Sequence, residues 1–288
     1  MRAVVYQGAG GLEVVRIEER PMPVPGPGQV RVRVRAAGLN RADVIQRRGG
    51  YPAPPGWPAD IPGLEFAGEV DALGVDVSKW RVGERVMGLV GGGAQAEYLV
   101  THQDELTPIP DRLGFAEAAA IPEAFLTAWD ALVVRGRLQP GERVLIHAVG
   151  SGVGTAAVQL ARRLGATVAG SSRSPRKLDQ AKSLGLDEGL DFSTPTAEPP
   201  NRRTAFNIIL DFLGAPAFAA NLEALAPRGR LVLLGFLQGA AGELSLEPIL
   251  KKRLEVIGSV MRTRALEERI PMVAGFSREV LPWLGDSA

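Results

Sequence analysis

The sequence predicts an α/β chain in two parts, a compact β-rich region followed by a doubly wound parallel sheet. Three observations carry this. The first third is a series of short apolar strands punctuated by glycine and proline. From Glu142 onward, short apolar strands alternate with longer helical segments. The first strand and helix of that alternation are joined by a glycine-rich turn, Gly150-Ser151-Gly152-Val153-Gly154.

In order along the chain, Val4-Val5-Tyr6 and Leu12 to Ile17 flank the glycine-rich Gly8 to Gly11, which reads as a hairpin. Val30 to Arg35 alternates valine with arginine. That period puts valines on a buried face and arginines on a solvated one, a simpler reading than a basic phosphate patch. Further strands are expected around Phe66 to Val70, Arg85 to Val90 and Ala96 to Val100, together a compact β domain or partial barrel. Glu123 to Val134 carries Phe125, Ala128, Trp129 and Leu132 at helical spacing and predicts one helix. The alternation then follows. Strands are expected at Val144 to Ile146, Thr167 to Ala169, Ile208 to Leu210, Leu231 to Leu234 and Leu254 to Ile257. Helices are expected at Val153 to Leu164, Pro175 to Leu184 and Ala215 to Ala226. The Pro-rich stretch Ser193 to Arg203 reads as a surface connection.

Composition narrows the function classes. The 288 residues carry a formal net charge of +1, so no bulk field recruits nucleic acid or an anionic membrane. Hydrophobic residues make up 45% and charged residues 23%, as in ordinary globular proteins. No apolar run is long enough to cross a bilayer, and the N-terminus lacks the layout of a signal peptide. The absence of cysteine excludes disulfides, thiolate catalysis and thiolate metal sites, and fits a cytoplasmic protein.

The candidate site residues begin at the turn. Backbone N–H groups of Gly150, Ser151, Gly152, Val153 and Gly154 are expected to approach a pyrophosphate, whose charge the following helix N-terminus favours. Thr155 stands where the last glycine of the dinucleotide fingerprint belongs. A methyltransferase shares this context, so the turn alone does not name the ligand. The end of the second strand narrows the choice. An NAD site usually places an acid about twenty residues past the glycines, to bind the ribose 2′-hydroxyl. This chain has Ser171-Ser172-Arg173 and then Lys177, suited instead to a 2′-phosphate, so NADPH is the expected cofactor.

A series of motifs then points to a family. Leu39-Asn40-Arg41-Ala42-Asp43, Pro62 to Val70, Val82 to Met87, Ala119 to Pro122, Leu126-Thr127-Ala128, Pro140-Gly141-Glu142 and Ser151 to Ala157 occur in order. Together they resemble the zinc-free medium-chain dehydrogenases/reductases of the quinone oxidoreductase, zeta-crystallin-like branch. The likeness is greatest to the tumour-suppressor-inducible quinone oxidoreductases, through Leu39 to Asp43, Pro122-Glu123-Ala124 and Ile146-His147-Ala148.

The resemblance implies a GroES-like catalytic domain over residues 1–122 and a Rossmann NADPH-binding domain over 123–262. Residues 263–288 would return toward the first domain as an incomplete segment, since the family normally continues with further elements past Leu284 to Ala288. Zinc-dependent relatives carry Gly-His-Glu and a nearby cysteine. Here the residues are Gly63-Leu64-Glu65, and His102 and His147 do not recur at ligand spacing, so no metal is expected. His147 is read as structural. By resemblance, Tyr51 and Asn40 border the acceptor pocket, and Ser151, in the phosphate turn, also helps order the substrate side. Asn40 and Thr127 would also reach the cofactor, Phe192 would replace the tyrosine usual at the adenosine end, and Gly235, Phe236 and Leu237 would lie against the nicotinamide. The implied activity is metal-free hydride transfer from NADPH to a small-molecule quinone. Reduction of enones, alkenals or enoyl thioesters, or a low-turnover NADPH-binding sensor or structural role, stands as the alternative. A homodimer is expected through edge pairing of Leu254 to Val260.

Overall fold

A computed structural model describes residues 1–193 and 205–285. Most of the Pro-rich connection read at Ser193 to Arg203 lies outside the described residues. The chain divides into two compact units, residues 1–126 with 261–288, and residues 127–260.

In the first unit, β1 (Arg2–Tyr6) and β2 (Val15–Glu19) form an antiparallel hairpin. Leu12–Val14 departs from the strand expected there and winds into a single 3-10 turn. The Glu13 carboxylate accepts the Gly11 N–H at 2.6 Å, and this local bond competes with strand pairing. The strands β3 (Gln29–Ala37), β4 (Glu65–Leu73), β5 (Arg85–Leu89), β6 (Tyr98–His102) and β7 (Leu106–Pro108) form an antiparallel sheet, ordered β6-β3-β4-β5-β7. The alternation of β3 acts as expected. Val30 and Val32 are fully buried against Phe66, Val70 and Val86, whereas Arg33 and Arg35 are exposed. The helices α1 (Arg41–Arg47) and α2 (Phe115–Ala118) belong to this unit.

The chain leaves the first unit within α3 (Pro122–Trp129). The single helix expected over Glu123 to Val134 is divided, because Asp130–Arg135 widens into a π-helical turn. There the fully buried Asp130 accepts a bond from the Ser259 hydroxyl at 2.6 Å, a side-chain demand that hydrophobic spacing does not show.

The second unit alternates as the sequence predicts. Its elements are β8 (Arg143–Ile146), α4 (Gly152–Arg163), β9 (Thr167–Ser172), α5 (Pro175–Lys182), β10 (Glu188–Asp191), β11 (Phe206–Asp211), α6 (Ala215–Ala224), β12 (Leu225–Leu233), α7 (Glu247–Lys252) and β13 (Glu255–Gly258). The strands pair in parallel in the order β10-β9-β8-β11-β12-β13. This is a doubly wound sheet whose order reverses between β8 and β11, where such sheets bind ligands beyond the strand ends. Leu145, Ile209 and Leu231 fill its centre, without solvent exposure. The chain then returns to the first unit with α8 (Leu266–Glu279) and α9 (Leu281–Gly285). No helix among the described residues is long and apolar enough to cross a membrane.

Candidate functional site

Beyond β8 the chain makes a tight turn. Ala148 has φ +47°, and Val149 N–H donates to the Ser171 carbonyl at 3.0 Å. Ser151 caps α4, its Oγ accepting the Gly154 N–H at 3.1 Å. A Cβ on Gly154 would stand 2.6 Å from the Val149 carbonyl oxygen, so only glycine lets the helix start this close beneath the turn. The N–H groups of Gly152 and Val153 donate to no acceptor among the described residues. Free N–H groups at the positive end of a twelve-residue helix suit an anion.

The flanking residues add charge of the matching sign. A Cβ on Gly150 would meet the Lys177 side-chain carbons at 2.6–2.9 Å, so the Lys177 stem lies directly over the turn. Arg173 and Lys177 are exposed and form no ion pair among the described residues. Ser172 Oγ accepts the Ser174 N–H at 3.1 Å. The hydroxyl of Ser171 is buried and bonded to His147 Nδ1 at 2.7 Å, so it already has a partner inside the unit. Phe192 is half-buried, and its N–H donates to the Ser172 carbonyl at 2.9 Å. Past β12, Phe236 is 56% and Leu237 50% exposed, a large apolar surface for one loop. Leu237 N–H donates to the Phe212 carbonyl at 2.9 Å, and Gly235 lies between this loop and the end of β12. Thr127 is buried, with its Oγ1 unpartnered among the described residues. These residues gather at the carboxyl ends of the parallel strands, except Thr127 on α3.

In the first unit, Asn40 precedes α1, and its backbone N–H donates to Asp43 Oδ2 at 2.7 Å. Its side-chain amide donates to Glu65 Oε1 at 2.8 Å. Asp43 Oδ1 accepts the Gly63 N–H at 3.2 Å, and Glu65 Oε2 accepts the Glu123 backbone N–H at 2.8 Å. Arg262 closes the group. It donates to the Gly91 carbonyl at 2.8 Å, the Tyr51 carbonyl at 2.7 Å and Gln46 Oε1 at 2.8 Å. Its guanidinium carbon lies 4.8 Å from the centre of the Tyr51 ring, a cation–π contact. Arg262 thus ties Tyr51 to Gln46 of α1, the helix that Asn40 precedes.

Burial sets the electrostatics here. It raises the Tyr51 hydroxyl above its ordinary value, an effect reinforced by Glu123 and opposed by Arg262. It also raises Asp43 and Glu65, against the N–H groups each accepts. Glu123 is pushed up to about 8 by burial, then by Glu65 and Asp43. An acid in the first turn of a helix is ordinarily favoured as its anion by ~0.3–1 kcal/mol. That effect loses here to desolvation and two neighbouring acids.

Asp43, Glu65 and Glu123 stand within motifs that assign them no site, and no motif contains Arg262. A signal was present for Glu65, an acid inside the apolar run Leu64 to Val70.

Comparisons with known proteins agree with this architecture. Residues 26–111 match the alcohol dehydrogenase GroES-like domain family, and residues 152–276 match the zinc-binding dehydrogenase family. Polyketide synthase GfsB of Streptomyces halstedii is 41% identical over 198 residues, 69% of this chain and 3% of its own. Quinone oxidoreductase-like protein 2 of Mus musculus is 34% identical over 226 residues, 77% of this chain and 64% of its own. The chain therefore spans less than two thirds of either relative. Among solved structures, Pseudomonas syringae quinone oxidoreductase is 30% identical with a TM-score of 0.83, over 100% of this chain and 90% of that one. Escherichia coli quinone oxidoreductase complexed with NADPH is 25% identical with a TM-score of 0.85, over 100% and 91%. CurK enoyl reductase is 28% identical with a TM-score of 0.85, over 98% and 87%.

The second family description raises zinc, and this donor set does not fit it. The chain has no cysteine. Both ring nitrogens of His147 are engaged inside the second unit, and His102 lies in the first. Both oxygens of Asp43 and of Glu65 already accept N–H groups. The described residues hold no group of three or more His, Cys, Asp or Glu able to bind a metal.

Proposed function

The chain belongs to the medium-chain dehydrogenase/reductase family, and from that premise we propose that it transfers hydride from NADPH to quinones without a metal. One observation carries the reading. The free N–H groups of Gly152 and Val153 open onto a turn covered by the Lys177 stem, with Arg173 beyond and no acid at the end of β9. That set suits a pyrophosphate together with a 2′-phosphate, and the related Escherichia coli enzyme was solved with NADPH. Gly150, Ser151 and Gly154 shape the phosphate turn, and Ser172 supplies a hydroxyl beside Arg173. The unpartnered Thr127 hydroxyl is a donor kept for the cofactor. Gly235, Phe236 and Leu237 offer an apolar wall to the nicotinamide, and Phe192 packs toward the adenosine end. The bound dinucleotide supplies the hydride, and the protein supplies position and electrostatics. Asn40 and Tyr51 border the acceptor, Tyr51 as a neutral donor because its hydroxyl is raised.

The likeness to CurK enoyl reductase favours a second acceptor class, alkenes conjugated to a carbonyl. Loss of the nicotinamide absorbance, followed with naphthoquinone and with cyclohexenone, checks both classes. Arg173→Ala should raise the NADPH dissociation constant tenfold or more and leave NADH nearly unchanged, since a charge-assisted bond contributes about 1.5–3 kcal/mol. Equal weakening for both cofactors would remove the 2′-phosphate assignment.

β13 ends the parallel sheet, with Val256 39% and Val260 47% exposed. We read this edge as the contact for a second copy of the chain. Sedimentation at micromolar concentration should show a dimer, and a monomer alone would contradict it.

A further inference from the structure

We propose that Asp211 is a positioning residue, setting the loop Leu234 to Gly239 so that Phe236 and Leu237 receive the nicotinamide half of the cofactor. The inference rests on the dinucleotide reading above and concerns the second unit alone. Sheet order supplies the direction. A pyrophosphate held at the turn beyond β8 leaves one half of a dinucleotide on each side. On one side stands β9, followed by the cations Arg173 and Lys177, suited to the adenosine 2′-phosphate. On the other stand β11 and then β12, about 10 Å away at two strand spacings. The loop after β12 is therefore within reach of the second half. Its exposed Phe236 and Leu237 suit the flat, uncharged ring of a dihydronicotinamide.

What fixes this loop is the end of β11. Leu234 N–H donates to the Asp211 carbonyl at 2.8 Å, Leu237 N–H to the Phe212 carbonyl at 2.9 Å and Gln238 N–H to the Leu213 carbonyl at 2.9 Å. Ala215 N–H returns a bond to the Gly239 carbonyl at 3.0 Å. The loop thus follows the backbone of residues 211–215, and one side chain shapes that backbone. Asp211 Oδ1 accepts the Leu213 N–H at 2.7 Å and the Gly214 N–H at 3.3 Å. These bonds hold the bend in which Gly214 takes φ +91°. A Cβ on Gly214 would collide with the Gly239 carbonyl oxygen and stand 3.0 Å from the Phe236 ring, so the two segments touch there. Stability alone does not account for an acid at this place. Asp211 is fully buried, and its Oδ2 has no hydrogen-bond partner among the described residues. A buried oxygen left unpaired opposes folding. In its favour, a carboxylate is a strong acceptor for two adjacent N–H groups, and the bend they make decides where Phe236 stands. Asp211 acts through the loop and is assigned no contact with the reacting atoms.

The test separates the two halves of the ligand. Adenosine 2′,5′-bisphosphate carries the phosphates without the nicotinamide, and NADPH carries both. In Asp211→Ala the NADPH dissociation constant should rise about tenfold, and that of the bisphosphate should stay within about twofold of wild type. Turnover with naphthoquinone should fall on the order of a hundredfold, as for a displacement near 1 Å. Asp211→Asn keeps the shape and exchanges a charged acceptor for a neutral one. It should show the same split at about threefold, and it decides the matter if the Ala chain does not fold. Phe236→Ala, at an exposed position, should weaken NADPH and spare the bisphosphate too. A purely structural role would lower the melting temperature and weaken both ligands together, or neither, and either result overturns the proposal. So does a Phe236→Ala variant that binds NADPH like wild type. A wild type that binds neither ligand overturns the cofactor reading, and the role of Asp211 with it.

Discussion

In the second unit His147 is buried with both ring nitrogens bonded, whereas in the first unit Glu123 presents a half-buried carboxyl with no partner among the described residues. Burial lowers the His147 pKa, so the ring stays neutral. With Asn221 Oδ1 as acceptor at 2.7 Å, Nε2 carries the proton and Nδ1 accepts from the Ser171 hydroxyl. Ser171 in turn offers its carbonyl to Val149, one residue before Gly150. The paired group therefore locks the backbone from which the glycine-rich turn projects. The unpaired one gains nothing in rigidity, and burial moves its protonation instead. The same desolvation cost thus yields shape in one unit and a reservoir of acid in the other.

Breaking the paired group should have the larger effect. His147→Leu leaves Ser171 and Asn221 without their partner, and should lower unfolding free energy at pH 7 by about 2–3 kcal/mol in urea titration. Glu123→Gln should behave oppositely in the same experiment. A carboxyl raised on folding contributes stability present below its unfolded value, about 4.3, and lost as pH rises through about 8. Wild type should therefore lose stability relative to Glu123→Gln across that window and stay level above it, by less than the His147 cost because solvent reaches the carboxyl. A gap independent of pH would mean that Glu123 is ionised in the folded protein and the contrast with His147 is false. The smallest effect is expected at Tyr51. Tyr51→Phe should lower quinone turnover on the order of tenfold at most, as one neutral hydrogen bond contributes about 1 kcal/mol, with NADPH affinity unchanged. Unchanged kinetics across several quinones would make Tyr51 only a wall.

Local pattern carried the second unit well, because each strand is an apolar run and each long helix has one buried stripe. It failed where burial is slight. β10, with Glu188 and Asp191 exposed at a sheet edge, and α7, with Leu250 81% exposed, have no pattern to read. The glycine-rich strand-to-helix turn was legible because glycine spacing is a backbone demand written locally. The acid group was not, because it depends on residues far apart in sequence. Glu65 and Glu123 are 58 residues apart, and Arg262 lies 216 residues beyond Gln46. Family resemblance supplied Asn40 and Tyr51, but nothing near either residue names Arg262 as a neighbour.

That reach across the chain has a consequence for how the protein is made. The first unit is discontinuous, for residues 127–260 are synthesised between its two parts. A ribosome adding about 5–20 residues per second needs on the order of ten seconds to cover that insertion. During that interval the strands of the first unit can pair, but Gly91, Tyr51 and Gln46 wait for the side chain that bridges them. The second unit, continuous in sequence, can finish folding first. Arg262 then arrives as a late clasp, and the nascent first unit spends those seconds as the part of the molecule most open to misassembly.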